Sequence, residues 1–221
     1  MKIIAIASPA GGVGKTTLAH AISVSAAEFG KKTLLIDLDP AASLTFRLGL
    51  ENPRLTITDY LSGSSLASEQ LNLTPERFAF IAADSRLTTN LSDDALSIFL
   101  NSLPELFDLV VLDVAPSLTQ SLKLALSVAD HIFTPVDDSL HSLRALLQLR
   151  AITDTQVTAI ATGEVSNEEI APVLDVTLIR SSEIDGLIKG TLSVLTADKD
   201  GEVAESYRSA TYSILELLGL E

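Results

Sequence analysis

The chain contains no cysteine and no tryptophan. Without cysteine it has no disulfide framework, no thiol nucleophile and no thiolate zinc site. Aromatic residues are only 5%, so the hydrophobic 47% is largely aliphatic, a composition suited to a parallel sheet covered on both faces by helices. Cations are scarce: 15 Lys and Arg stand against 29 Asp and Glu, for a net charge of −14. That balance excludes a generic nucleic-acid binder. The shortage is sharpest from residue 151 on, where four basic residues face thirteen acidic ones, so DNA contact there needs a small local patch or an oligomer that pools its cations. No apolar run approaches the roughly 20 residues that span a bilayer. The opening MKIIAIASP reads as a first strand rather than a signal peptide, because its apolar stretch is short and runs into a glycine loop. A cytoplasmic location is the expectation. What is present is a 221-residue chain, expected to fold as one domain over 1–221 and to bury roughly 70% of its unfolded surface. The mean hydropathy of +0.35 excludes disorder.

Short apolar runs alternate with helical patterns. Strands are expected at Lys2–Ala7, Thr33–Ile36, Phe78–Ala82, Leu109–Leu112, His131–Val136 and Val157–Ile160, with a weaker one at Val176–Ile179. Helices are expected at Thr16–Phe29, Ser92–Asn101, Ser117–Val128, Ser139–Ile152 and Glu202–Leu218, with Gly30 as the stop for the first. Residues 51–77 read as an irregular excursion with short helices. The alternation predicts an α/β fold: a doubly wound, mostly parallel sheet flanked by helices.

The strongest local signal is Ser8-Pro9-Ala10-Gly11-Gly12-Val13-Gly14-Lys15-Thr16-Thr17, between a predicted strand and a predicted helix. In that setting Gly11, Gly12, Val13 and Gly14 offer converging backbone N–H groups to phosphate oxygens, and the helix N-terminus adds partial positive charge. Lys15 reaches the β- and γ-phosphates, the Thr16 hydroxyl ligates Mg²⁺ and Thr17 reaches the α-phosphate. Pro9 stands where the general pattern has its first glycine. A turn that needed only glycine would have no use for the Lys-Thr pair. Asp113 ends an apolar strand, where α/β folds place ligands, and a carboxylate there holds Mg²⁺ through its water shell. Asp37 and Asp39 follow the second strand, and Asp37 can also be read as a plain strand-end carboxylate. His20 and His131 read as structural, and with His141 they do not cluster at ligand spacing.

At these motifs the sequence resembles the ParA/MinD family of P-loop ATPases with a deviant Walker A motif. Gly11, Gly12, Gly14, Lys15 and Thr16 match that motif, but Ala10 stands where its signature lysine belongs. The resemblance continues through Ile36-Asp37-Leu38-Asp39-Pro40, Thr45 and Gly49, then Phe107 to Leu118, and Ala129-Asp130 to Thr134-Pro135-Val136, covering about the first 145 residues specifically. It is loose around Ile179-Arg180 and Tyr207-Arg208. It implies ATP and Mg²⁺ as ligands, Asp39 in a switch loop that orients the attacking water, Asp37 near the metal, and a second switch at Asp113–Gln120. It also implies an ATP-dependent homodimer that positions or partitions a plasmid, a chromosome or a protein compartment by ATP-gated binding to a matrix, with an adaptor that triggers slow hydrolysis. Absence of the lysine makes the carboxysome-positioning McdA branch attractive. The acidic tail Glu202–Glu221, with Arg208 as its one base, disfavours membrane as the matrix. Nucleoid DNA is left, through a few cations such as Arg180, Lys189, Lys199 and Arg208, each of which can also be read as a solvated surface charge. Family members place an Asn or Asp with a nearby Arg after the sixth strand to hold adenine, and Ile160–Val165 has no such pair. On the helix Ser139–Ile152, a wheel puts Leu140, Leu143, Leu146 and Leu147 on the buried face and His141, Arg144 and Gln148 opposite. Arg144 is the candidate replacement for the missing lysine at the nucleotide, with Lys123 and Arg150 in reserve; the alternative reading is a solvated surface residue. Two rivals stand beside this reading: a metabolic P-loop ligase of the dethiobiotin-synthetase type, and a nucleotide-binding scaffold that does not hydrolyse.

Overall fold

The computed structural model describes residues 1–66, 74–88, 91–104, 106–163, 165, 170, 172–181 and 193–221. Its strands are β1 Lys2–Ile6, β2 Thr33–Leu38, β3 Ala79–Ile81, β4 Leu109–Val114, β5 His131–Val136, β6 Val157–Ala161 and β7 Val173–Thr177. They form one sheet in the order β3-β2-β4-β1-β5-β6-β7, with every pairing parallel. The helices are α1 Lys15–Glu28, α2 Ser43–Arg47, α3 Ile57–Leu61, α4 Ala95–Ser102, α5 Gln120–Val128, α6 Leu140–Ala151, α7 Val194–Ala197 and α8 Glu202–Leu218. The winding reverses at β1, and the carboxyl ends of β1, β2 and β4 lie side by side where α/β folds open a ligand crevice.

Strand alternation sorts the core into two layers. Ile4 and Ile6 of β1 pack with Leu18 and Ile22 of α1 and Ile214 of α8, while Ala5 and Ala7 face the side covered by α3, α4, α5 and α6. Each fully buried Leu or Ile contributes about 1.5–3 kcal/mol. The sheet lies on one side of α1 and α8 on the other, so every residue from Leu18 to Ala26 is buried. The stripe Val203, Tyr207, Ala210, Ile214 and Leu218 recurs every three or four residues along α8 and is buried in the same layer as α1. That apolar face is used inside the fold and cannot also lie on a lipid surface. Among the described residues no helix is long and apolar enough to cross a membrane.

Several element boundaries differ from the sequence reading. α5 begins at Gln120 rather than Ser117, because Ser117 takes a left-handed backbone (φ 83) and Thr119 caps the helix by accepting from the Leu122 N–H at 3.4 Å. β2 runs through Leu38, so Asp37 lies within the strand. β7 pairs from Val173 rather than Val176, through a register shift against Ala159 and Ala161.

The largest correction is to α6. Leu140 is 84% exposed and Leu147 45% exposed, and the buried residues are Ser142, Ala145, Leu146 and Leu149. The helix turns its small residues toward the glycine loop, where Ala145 packs against Ala10 and Val13. The leucines on either side are displaced to the surface. His141, Arg144 and Gln148 are exposed, as the wheel predicts.

The histidines have structural settings. His20 Nε2 lies 2.7 Å from Glu76 Oε2, with its ring edge on Phe78. His131 bonds Thr158 Oγ1 at 2.8 Å and stacks on Phe133, and burial lowers its pKa.

Candidate nucleotide-binding site

After β1 the chain turns through the glycine loop and enters α1 at Lys15 with no side-chain cap, so the first-turn N–H groups face outward. Gly12 (φ 72) and Gly14 (φ 98) hold left-handed conformations that a side chain would strain. Lys15 is 6% exposed and donates from Nζ to the Ala10 carbonyl at 2.6 Å. Burial lowers its pKa, opposed by the negative charges of Asp113 and Asp39.

Asp113 and Asp37 are register partners on adjacent strands. Asp37 is fully buried, and both its oxygens are engaged: Oδ1 accepts the Asp39 N–H at 2.9 Å, and Oδ2 accepts the N–H and hydroxyl of Thr45 at 3.0 and 2.8 Å. Burial pushes its pKa up to about 6 despite these donors. Asp37 therefore fastens the loop 39–45 and α2 to the sheet, which is a different task from ligating a metal. Asp113 is equally buried, yet neither oxygen makes a well-formed hydrogen bond. Desolvation, and then the Asp37 charge, raise its pKa well above the carboxylate range, with Thr16 and Lys15 offsetting part of the rise. A buried carboxylate with both oxygens open, beside a threonine hydroxyl and a lysine, fits a divalent cation held with phosphate. Among the described residues no group of three His, Asp or Glu forms a metal site without such help.

Asp39 is half-buried at the end of β2, where Oδ1 accepts the Ala41 N–H at 2.8 Å. Ser117 donates from its backbone to the Pro9 carbonyl at 3.2 Å, tying the segment after β4 to the glycine loop. The left-handed conformation of Ser117 costs roughly 1–3 kcal/mol.

A cavity of about 330 Å³ opens at the start of α1. Gly12, Gly14, Lys15, Thr16 and Thr17 form one wall; Ile179, Arg180, Ser181, Val194, Val203 and Tyr207 form another, with Arg47 between. The second wall comes from the last third of the chain, after β7, rather than from Ile160–Val165. Arg180, expected as a matrix cation, is exposed, lines this cavity and donates to the Val13 carbonyl at 2.8 Å. Arg208 is also engaged, pairing with Glu28 at 2.9 Å and donating to the Lys199 carbonyl. Lys199 is exposed, and Lys189 lies outside the described residues. Arg144 stands on the surface of α6 next to Ala145, which touches Ala10. Lys123 is exposed on α5, and Arg150 donates to the Ile170 carbonyl at 3.0 Å. Sequence reasoning missed Arg47, although it stands between Thr45 and Gly49, two positions of the resemblance.

Comparison with known proteins fits this geometry. A family model described as an AAA domain matches residues 1–163. The maintenance of carboxysome distribution protein A of Synechococcus elongatus is 32% identical over 158 residues, covering 67% of this chain and 63% of that protein. The chromosome-partitioning ATPase Soj of Thermus thermophilus is 34% identical over 151 residues, covering 67% of this chain and 59% of that protein. The matched region thus spans less than two thirds of either relative. In structure, the septum site-determining protein MinD of Pyrococcus horikoshii, complexed with Mg-ADP, superposes with a TM-score of 0.80 at 19% identity, covering 99% of this chain and 98% of that one. At that identity the likeness is one of fold.

Proposed function

The chain belongs to the ParA/MinD family of P-loop partition and positioning ATPases, and from that premise we propose that it is itself an ATP-hydrolysing, ATP-dimerised positioning protein. The observation that carries the reading is the buried carboxylate of Asp113, with neither oxygen in a well-formed hydrogen bond, beside Lys15 and Thr16 at the glycine loop. In this reading ATP lies along the loop, with its phosphates on the N–H groups of Gly11 to Thr16 and on Lys15. Thr16 and Asp113 would hold Mg²⁺, which would supply positive charge against that of the phosphates. Asp39 orients a water for in-line attack: its oxygen bonds the γ-phosphorus, the bond to the β–γ bridging oxygen breaks, and ADP, phosphate and a proton leave. Asp37 holds the Asp39 loop in place through Thr45. Catalysis of this kind rests on positioning and fixed charge.

Two protomers closing face to face would bring two triphosphates together, and their repulsion in a partly dry interface needs added positive charge. Arg144 supplies it from the exposed face of α6 in our reading, across the interface. Arg144→Ala on an Asp39→Ala background should then lose ATP-dependent dimerisation while keeping its monomer fold. A double mutant that dimerises normally removes Arg144 from this role.

The matrix we propose is nonspecific DNA, reached by the ATP dimer in the cytoplasm, with an adaptor protein that triggers hydrolysis. With Arg180 and Arg208 engaged, few cations remain, so binding should be modest and salt-sensitive, with each neutralised phosphate adding about 0.9 to the log–log slope. ATPase assays with and without DNA, paired with DNA binding at several salt concentrations, test this. The expected result is ATP-dependent binding with a shallow slope; binding to anionic vesicles but not DNA would reverse the choice of matrix. Steady turnover on a small acid or amide without a protein trigger would favour the metabolic ligase.

A further inference from the structure

The position of the missing lysine is closed. Ala10 is 1% exposed and packed between Val13 and Ala145, so its side chain points into a small apolar contact and not into the phosphate site. The charge this loop lacks must come from another element. Among the described residues, the charged side chains that line the cavity at the start of α1 are Lys15, Arg47 and Arg180, all cations. In a chain with a net charge of −14, that concentration of positive charge marks a polyanion site.

Arg47 is the least expected of the three. It is the last residue of α2 and half-buried, and its guanidinium donates to Thr17 Oγ1 at 3.3 Å. Thr17 is in the first turn of α1, at the phosphate end of the cavity. α2 is also the element that Asp37 holds through Thr45. One short helix therefore carries both the anchor of the Asp39 loop and a cation aimed at the phosphate end. Arg180 approaches from the opposite wall, on the Val13 carbonyl.

We propose that Arg47 is a nucleotide-holding residue, the in-chain source of positive charge on the phosphate end of a nucleoside di- or triphosphate, with Arg180 facing it across the cavity. The inference rests on the nucleotide-site reading above and deepens it. It differs from the Arg144 proposal in where and when the charge acts. Arg144 would come from the partner when two ATP-bound protomers close, whereas Arg47 belongs to the same chain and acts on ADP in a single protomer. A guanidinium here also holds α2 against α1 whether or not nucleotide is bound, so a binding role and a tethering role must be told apart by charge.

The test is calorimetric titration of MgADP into the wild-type chain and into Arg47→Ala, Arg47→Lys and Arg47→Gln, at low and high salt. Gln keeps a neutral donor for Thr17 and loses the charge; Lys keeps the charge and loses the planar fork. The expected result is at least tenfold weaker ADP binding for Ala and Gln, recovery to within about threefold for Lys, and a weaker salt dependence in the neutral variants. Wild-type affinity in Arg47→Gln would overturn the proposal and leave Arg47 as a tether. Unchanged affinity in Arg47→Ala, with the wild type binding ADP, would overturn it and leave the nucleotide site intact. A wild-type chain that binds no ADP would overturn both this inference and the reading beneath it.

Discussion

Lys15→Ala should reduce Mg·ATP affinity at least about 100-fold, a loss of roughly 3 kcal/mol. The expectation follows from burial and direction. The ammonium is 6% exposed, and its one hydrogen bond is to the Ala10 carbonyl of the glycine loop. Its pKa is lowered by desolvation, so the ligand-free protein bears a cost to hold it there. Removing it should therefore change the melting temperature of the free protein little, and the loss should appear in nucleotide binding. Thr16→Ala should weaken Mg²⁺-dependent binding more than binding measured with chelator present. Calorimetry with and without Mg²⁺ reads both effects; wild-type affinity in Lys15→Ala would remove the glycine loop as the phosphate site.

Asp39→Ala should bind ATP within about threefold of wild type and lose at least about 100-fold in turnover, the scale that misplacing a reactant costs. Asp39 is not buried against the loop as Asp113 is; it stands half-exposed at the end of β2 with one oxygen on the Ala41 N–H. Because that bond shapes the switch loop, Asp39→Asn is the sharper variant: it keeps an acceptor and loses the charge. Both variants should accumulate as ATP-bound dimers. Hydrolysis at the wild-type rate in either would show that another group orients the water.

Much of the site was legible before the structure, for a physical reason. Gly11 to Thr16 are marked by glycines at a turn, and Asp113 by a carboxylate inside an apolar run, one residue before β4 ends at Val114. Strand–helix alternation likewise exposes a parallel sheet, since its strands are apolar on both faces. The roll of α6 was not legible. Leucines stand on several sides of that helix, and only the need to seat Ala145 against Ala10 decides which of them face solvent. The far wall of the cavity was hidden for a similar reason. Arg180 and Arg47 come from segments distant in sequence, and a single arginine in an irregular stretch looks the same whether it meets a phosphate, a carbonyl or water. Asp37 shows the converse case. The family resemblance implies a place near the metal for it, and its oxygens accept from Thr45 and the Asp39 backbone.

The central claim is that ATP, and not ADP, joins two copies of this chain through the glycine-loop face. It is tested most directly by measuring the solution mass of the wild-type protein with Mg·ADP and with a non-hydrolysable Mg·ATP analogue. The account predicts a monomer with ADP and twice that mass with the analogue. The same mass in both states, with both nucleotides bound, would contradict it.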